Sequence, residues 1–212
     1  GTDAVNGLLT QLDNGLKTAQ TLIEQPDDKA LVEQQQDALN QYKKAFATMV
    51  QAGLKREGAR SKLGDTADNA VAKINEVEKS LLQGDSVTQF NSVVDLSKLI
   101  QQSRFQVRGY TYSGKTEAEQ PALDAIDNAL KKITELQGQL PTQYQANLQE
   151  AGVSLQAYRA AVSQYRDSQV ASAAALKIMT EQGDILQSHS EKLTTSQTAV
   201  RDADAAQAKQ LL

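Results

Sequence analysis

The chain has 212 residues, a net charge of −4 and no cysteine or tryptophan. This length supports one large or two small domains, and the lack of cysteine excludes disulfides and thiolate metal sites. The acidic balance, without a basic patch or stripe, is atypical of nucleic-acid-binding proteins, and no apolar run is long enough for a candidate membrane span. The scarcity of proline and aromatic residues is typical of long helices packed in bundles, which predicts an all-α fold.

Apolar residues recur at spacings of three and four through most of the sequence, which is the pattern of helices with one buried face. The first segment carries Val5, Leu8, Leu9 and Leu12 at this spacing. Taken in chain order, the pattern predicts five helices, over residues 4–25, 28–83, 86–113, 116–138 and 141–212.

The boundaries between these helices come from capping and helix-breaking residues. Pro26 ends the first helix, since the residue before a proline disfavours helical geometry. Gly84-Asp85-Ser86 combines a stop with a new cap, Gly114 ends the third helix and Gly138 the fourth. Pro141 begins the fifth, because proline suits the first helical position. No signal peptide is recognisable, and the opening Gly1-Thr2-Asp3 predicts an excised piece of a longer chain.

The last predicted helix is the longest, about 100 Å at ~1.5 Å per residue. It shows two rows of residues at seven-residue spacing, which is the seam of a coiled-coil-like packing. One row is Leu148, Leu155 and Val162, and the other is Tyr158, Tyr165, Ser172, Met179, Leu186, Leu193 and Val200. A helix of this length needs packing partners along its whole extent.

The alternation of long and short helices predicts two stacked helical bundles that share the two long helices. One bundle is predicted to contain residues 4–50 and 116–163. The other is predicted to contain residues 52–113 and 165–212. The second bundle then has only three helices, so a fourth is expected before Gly1.

No constellation of residues for catalysis or metal binding is present in the sequence. The single histidine, His189, lies among Ser188, Ser190 and Glu191, and this predicts a solvated surface residue. The sequence has no zinc-protease motif, glycine-rich phosphate loop or inward-facing Glu-x-x-His pattern. We therefore predict a non-enzymatic protein without a metal or cofactor.

The most distinctive stretch is 101–113, in which Arg104 and Arg108 share one helix face with Gln101 nearby. Like charges four residues apart destabilise an isolated helix, but the pair is explained if it faces an anion such as a carboxylate. The alternative is that both arginines are solvated or pair with acids of a neighbouring helix. Counting equal rises from the Gly114 break places Arg60 and Lys177 at the height of Arg104, which predicts a shared anion site.

The same stretch resembles the helical bimodular sensor domains of bacterial chemoreceptors. The residues that carry the resemblance are Gln-Val-Arg-Gly-Tyr at 106–110 with Arg104 before it, and several stretches of the last helix and its entry. These stretches are 139–141, 157–162, 164–167, 179–180 and 182–185, together with Tyr42-Lys43 in the first long helix.

The resemblance implies a single bimodular sensor domain over 1–212, from which the first of six helices is missing. It implies a periplasmic location between two membrane helices of a bacterial inner-membrane protein, and a homodimer. Of the two predicted bundles, 4–50 with 116–163 would be distal and 52–113 with 165–212 membrane-proximal. In members that sense organic acids, the proximal pocket binds dicarboxylates such as malate and succinate, and Arg104 matches one of its arginines.

We therefore expect ligand contacts from Arg104 and Arg108, with Gln101, Arg60, Lys177 and Thr180 as further partners. Dicarboxylate specificity is left open, because such members carry an arginine where this chain has Leu176. A second, smaller site near Tyr42 and Tyr158 is the alternative to plain core packing of these rings. The competing interpretation of the whole chain is a helical spacer or protein-interaction bundle that binds no small ligand.

Overall fold

The computed structural model describes residues 2–22 and 26–210, which form five long α-helices and two short 3-10 turns. The all-α prediction and the order of the five helices are confirmed. The helices are α1 (Thr2–Leu22), α2 (Pro26–Leu82), α3 (Val87–Ser113), α4 (Glu119–Gln139) and α5 (Gln145–Gln210).

The helix boundaries differ from the prediction by a few residues. The second helix begins at Pro26 rather than at residue 28, because proline is tolerated in a first helical turn. A 3-10 turn, Thr142–Tyr144, stands between Pro141 and α5. Residues 23–25 and 211–212, which the prediction also placed in helices, lie outside the described residues.

Local chemistry explains where α3 begins and ends. The Ser86 side chain accepts a hydrogen bond from the backbone amide of Gln89 at 3.2 Å, as an N-cap does. At the other end Gly114 has φ +66°, and its amide donates to the Tyr110 carbonyl at 2.9 Å. This left-handed conformation is strained for residues with a Cβ, so glycine is required there.

The chain divides into two compact units. The three-helix unit comprises Gly1–Gln51 and Ala171–Leu212, that is α1, the first part of α2 and the last part of α5. The four-helix unit comprises Ala52–Val170, that is the rest of α2, all of α3 and α4, and the start of α5.

This division corrects the predicted composition of the two bundles, which paired the first helix with the fourth and the third with the end of the fifth. Leu9 and Leu16 of α1 pack with Leu39 of α2, and Leu186 of α5 lies against this cluster. Helices α3 and α4 instead share one core with the second part of α2. The reason is that short connections at 83–86 and 114–118 fold both helices back along the same portion of α2.

The core of the four-helix unit combines aliphatic side chains with many buried alanines. Alanine at positions such as 70, 122, 129 and 151 is fully buried, which allows the helices to approach closely. The predicted seam of α5 is confirmed in this unit, where Leu148, Leu155 and Val162 have no exposed surface. In the three-helix unit the seam residues Ser172, Met179, Leu186 and Val200 are only half-buried, and the side chain of Leu193 lies outside the described residues.

Candidate functional site: an arginine–tyrosine cluster in the four-helix unit

The stretch that the sequence singled out lies along α3 with one face in the core. Ser103, Val107 and Tyr110 are buried, while Gln101 and Arg108 are exposed. Arg104 lies at the edge of the buried face, partly covered, and its Nη2 is 3.0 Å from Oδ1 of Asp68 on α2. The Asp68 side chain is 72% exposed, so this ion pair is at the protein surface.

Tyr158 of α5 is the buried neighbour of the two α3 arginines. Its side chain is 3% exposed. Burial raises the pKa of Tyr158 to about 12, and the positive charges of Arg104 and Arg108 act in the opposite direction. Within the described part of the chain its hydroxyl forms no hydrogen bond. Arg104 and Arg108 thus lie within electrostatic range of this buried phenol.

Two buried serines lie close in sequence to this group, Ser154 on α5 and Ser103 on α3. Nδ2 of Asn69, next to Asp68, donates to Oγ of Ser154 at 2.5 Å. Ser103, next to Arg104, has no exposed surface and donates to the Ile100 carbonyl at 2.7 Å. Polar side chains of α3 and α5 therefore interrupt the otherwise apolar core next to Arg104 and about one turn before Tyr158.

Arg60 is not at the level of Arg104, and the predicted meeting of these two residues is wrong. Arg104 lies opposite Asp68, whereas Nη2 of Arg60 donates to the hydroxyl of Tyr165, 3.4 Å away. That hydroxyl in turn donates to the carbonyl of Thr111. The prediction matched residues on α2 and α3 by counting helical rises from the Gly114 break. The two helices are instead aligned by the turn at 83–86, from which α3 runs antiparallel to α2.

Lys177 and Thr180 belong to the three-helix unit, whereas Arg104, Arg108 and Tyr158 belong to the four-helix unit. Lys177 is exposed and its Nζ is 4.0 Å from Glu181 on the same helix. The Thr180 hydroxyl donates to the carbonyl of Leu176 at 3.0 Å, and its side chain is exposed. The contacts of both side chains are therefore with neighbours on α5 itself.

The sequence left two alternatives for Tyr42 and Tyr158, core packing or a second site, and the two rings lie in different units. Tyr42 packs against the cluster of Leu9, Leu16 and Leu39. A Cβ placed at Gly183 would lie 3.7 Å from its ring. Core packing therefore accounts for Tyr42, whereas Tyr158 belongs with Arg104 and Arg108.

The prediction for His189 needs correction. The residue is half-buried, and its Nδ1 is buried without a hydrogen-bond partner within the described residues.

In 2–22 and 26–210 no group of His, Asp or Glu side chains is arranged to hold a metal ion. In the same ranges, no helix is both long and apolar enough to cross a membrane.

Burial of Tyr158 gives a pH dependence that can be measured. Because its pKa rises from 10.0 to about 12 on folding, the neutral phenol favours the folded state. The resulting contribution to the free energy of unfolding is roughly 3 kcal/mol. It is fully present below about pH 10 and is lost as the pH rises through about 12. Urea unfolding at neutral and alkaline pH should show a shallower alkaline loss of stability for Tyr158→Phe than for the wild type. Identical losses would contradict the buried, neutral phenol.

Comparisons with known proteins agree with this architecture. The family model described as the helical bimodular sensor domain matches residues 1–208. The chain is 47% identical over 204 residues to the methyl-accepting chemotaxis protein McpQ of Pseudomonas putida, covering 96% of this chain and 32% of the relative. It is 36% identical over 152 residues to the methyl-accepting chemotaxis protein McpK of Pseudomonas aeruginosa, covering 68% of this chain and 24% of the relative. The chain therefore spans about a third or less of the length of these curated relatives.

Proposed function

We propose that this chain, which belongs to the helical bimodular sensor domain family, senses small organic acids for a chemotaxis receptor. The matches to two methyl-accepting chemotaxis proteins support the receptor role. The parent protein is proposed to be anchored in a bacterial inner membrane as a homodimer, with this domain in the periplasm. The domain binds its ligand and does not transform it.

The observation that carries the ligand class is the grouping of Arg104 and Arg108 with the buried Tyr158. A guanidinium group presents paired donors that match a carboxylate, and a phenol adds a third donor. The Tyr158 hydroxyl is buried and has no hydrogen-bond partner among the described residues. These donors favour a small acid with one or two carboxylates as the ligand.

Asp68 occupies the place that a ligand carboxylate would take. Its Oδ1 lies 3.0 Å from Arg104, but its side chain is largely exposed. Ion pairs at exposed positions contribute only about 0–1 kcal/mol. A ligand carboxylate can therefore displace Asp68 at little cost, and the released Arg104 can turn toward Tyr158.

Signalling requires only that the ligand bind one arrangement of the helices more tightly than another. Arg104 and Arg108 lie on α3 and Tyr158 on α5, so a bound acid would link these two helices. We propose that α5 carries the resulting shift toward the membrane. A tenfold preference for one arrangement corresponds to about 1.4 kcal/mol.

Calorimetric titration of this domain with acetate, succinate and malate tests this function. Arg104→Ala should weaken the best-bound acid by roughly tenfold to hundredfold, since hydrogen bonds to charged groups contribute about 1.5–3 kcal/mol. The matched control is Arg159→Ala, which removes a surface arginine that pairs with Asp127 at 2.8 Å. Equal affinities for Arg104→Ala and the wild type would reject the site. A domain that no organic acid stabilises against heat would support the spacer interpretation instead.

A further inference from the structure

The outward side of α3 carries two exposed aromatic rings. Phe105 is 73% exposed and Tyr112 is 96% exposed, whereas every other tyrosine and phenylalanine of the described residues is buried or half-buried. The two rings are seven residues apart, which places them about 10.5 Å apart along the helix and on nearly the same face. Packing within the domain therefore does not explain why aromatic residues occupy these two positions.

Positive charge accompanies the two rings. Lys98 continues their row by a further step of seven residues and is exposed, as are Arg108 and Lys115. Residues 96–116 include no aspartate or glutamate, although the whole chain has a net charge of −4. The second half of α3 thus presents two apolar rings within a locally positive surface.

This combination is typical of a surface that binds another protein. Aromatic residues and arginine are enriched at protein interfaces, and exposed aromatic anchors supply much of the binding energy there. The charge selects the partner, because an acidic surface complements these cations. Two copies of this chain paired in parallel along α3 would instead bring like charges together. A free organic acid would neutralise a cation but leave both rings in water.

We propose that Lys98, Phe105, Tyr112 and Lys115, here called the α3 stripe, form a docking surface for a protein partner that presents an acidic amphipathic helix. The rings supply the apolar contact, and the lysines attract the acidic flanks of the partner. The proposal does not depend on the proposed function. Arg108 is kept unchanged in the test, because it also belongs to the proposed organic-acid site.

The probe is a synthetic helical peptide with leucines on one face and glutamates beside them, and its binding to the 212-residue chain is followed by fluorescence anisotropy. We expect saturable binding, which Phe105→Ala/Tyr112→Ala should weaken by roughly tenfold or more, since both anchors are lost. The matched control is Leu54→Ala/Val153→Ala, which truncates side chains that are 64% and 59% exposed on α2 and α5 of the same unit. Circular dichroism should show an intact fold in both double variants, because all four side chains are exposed.

The charge requirement is tested separately. Lys98→Glu/Lys115→Glu should weaken binding of the glutamate peptide by roughly tenfold at low salt, and by less at high salt. The control is Lys79→Glu/Lys131→Glu, which makes the same change in charge at exposed positions of α2 and α4. A peptide with lysines in place of the glutamates should bind the wild type at least roughly tenfold more weakly.

Losses confined to the variants of the α3 stripe support the proposal, and their affinity for organic acids should stay unchanged. Absence of saturable binding of the glutamate peptide would overturn the proposal, and so would equal losses in the control variants or equal binding of the lysine peptide. Tighter binding to phosphatidylglycerol vesicles, lost in the same variants, would assign the surface to lipid instead. A dimer that Phe105→Ala/Tyr112→Ala converts to monomers in sedimentation would assign it to a second copy of the chain.

Discussion

Replacing Tyr165 with alanine should lower the free energy of unfolding of the four-helix unit by about 3–5 kcal/mol. The ring is almost fully buried and packs edge to face on Tyr110, with ring centres 5.8 Å apart. Its hydroxyl joins Thr111, Arg60 and Gln169, from three different helical segments. Truncation therefore creates a cavity and leaves the Thr111 carbonyl without this donor. Urea unfolding followed by circular dichroism measures the change.

The control for this substitution is Tyr112→Ala, which removes the same side chain from a position that is 96% exposed. Such a surface change should alter the unfolding free energy by no more than about 0.5 kcal/mol. Tyr165→Phe separates ring from hydroxyl and should cost about 1 kcal/mol, the usual contribution of one hydrogen bond. A small loss in Tyr165→Ala, similar to that in Tyr112→Ala, would contradict the central role of Tyr165.

The second large effect is expected in the three-helix unit, where Leu39→Ala should cost about 2–5 kcal/mol. Leu39 has no exposed surface, and among the described residues it packs with the buried Leu9 and Leu16 of α1. Its truncation leaves a cavity between α1 and α2. We expect local opening of α1 without loss of the four-helix unit.

Amide hydrogen exchange measures this local effect. Peptides from α1 should exchange at least roughly 30-fold faster in Leu39→Ala than in the wild type, while peptides from α3 and α4 keep their protection. Leu8→Ala is the control, because it removes a leucine of α1 whose side chain is 66% exposed. Faster exchange throughout the chain would show instead that the two units unfold as one.

The helices and their caps could be predicted from the sequence because their signals are local. Ser86 caps α3 through an amide three residues away, and Gly114 ends it through its own backbone conformation. The apolar spacing of α5 likewise identified Tyr158 and Tyr165 as seam residues, and both are buried. These features depend on neighbours within one or two helical turns.

The pairing of helices could not be obtained in this way. The ion pair of Arg104 with Asp68 joins residues 36 positions apart, and the contact of Arg60 with Tyr165 joins residues 105 apart. When α3 is assigned to the wrong bundle, each contact predicted for it is displaced by several helical turns. This is why Lys177 was expected beside Arg104. The ion pair of Asp68 with Arg104 could not be predicted from the sequence, because a single aspartate on a polar helix face is common.

The distribution of aromatic rings decides what optical methods can observe in this protein. The chain has no tryptophan and six tyrosines, and Tyr110, Tyr144, Tyr158 and Tyr165 are buried in the four-helix unit. The three-helix unit has only the half-buried Tyr42. Near-ultraviolet circular dichroism reports the fixed packing of such rings, so its signal will come mainly from the four-helix unit. A melting curve recorded in this way would miss most of the opening of α1.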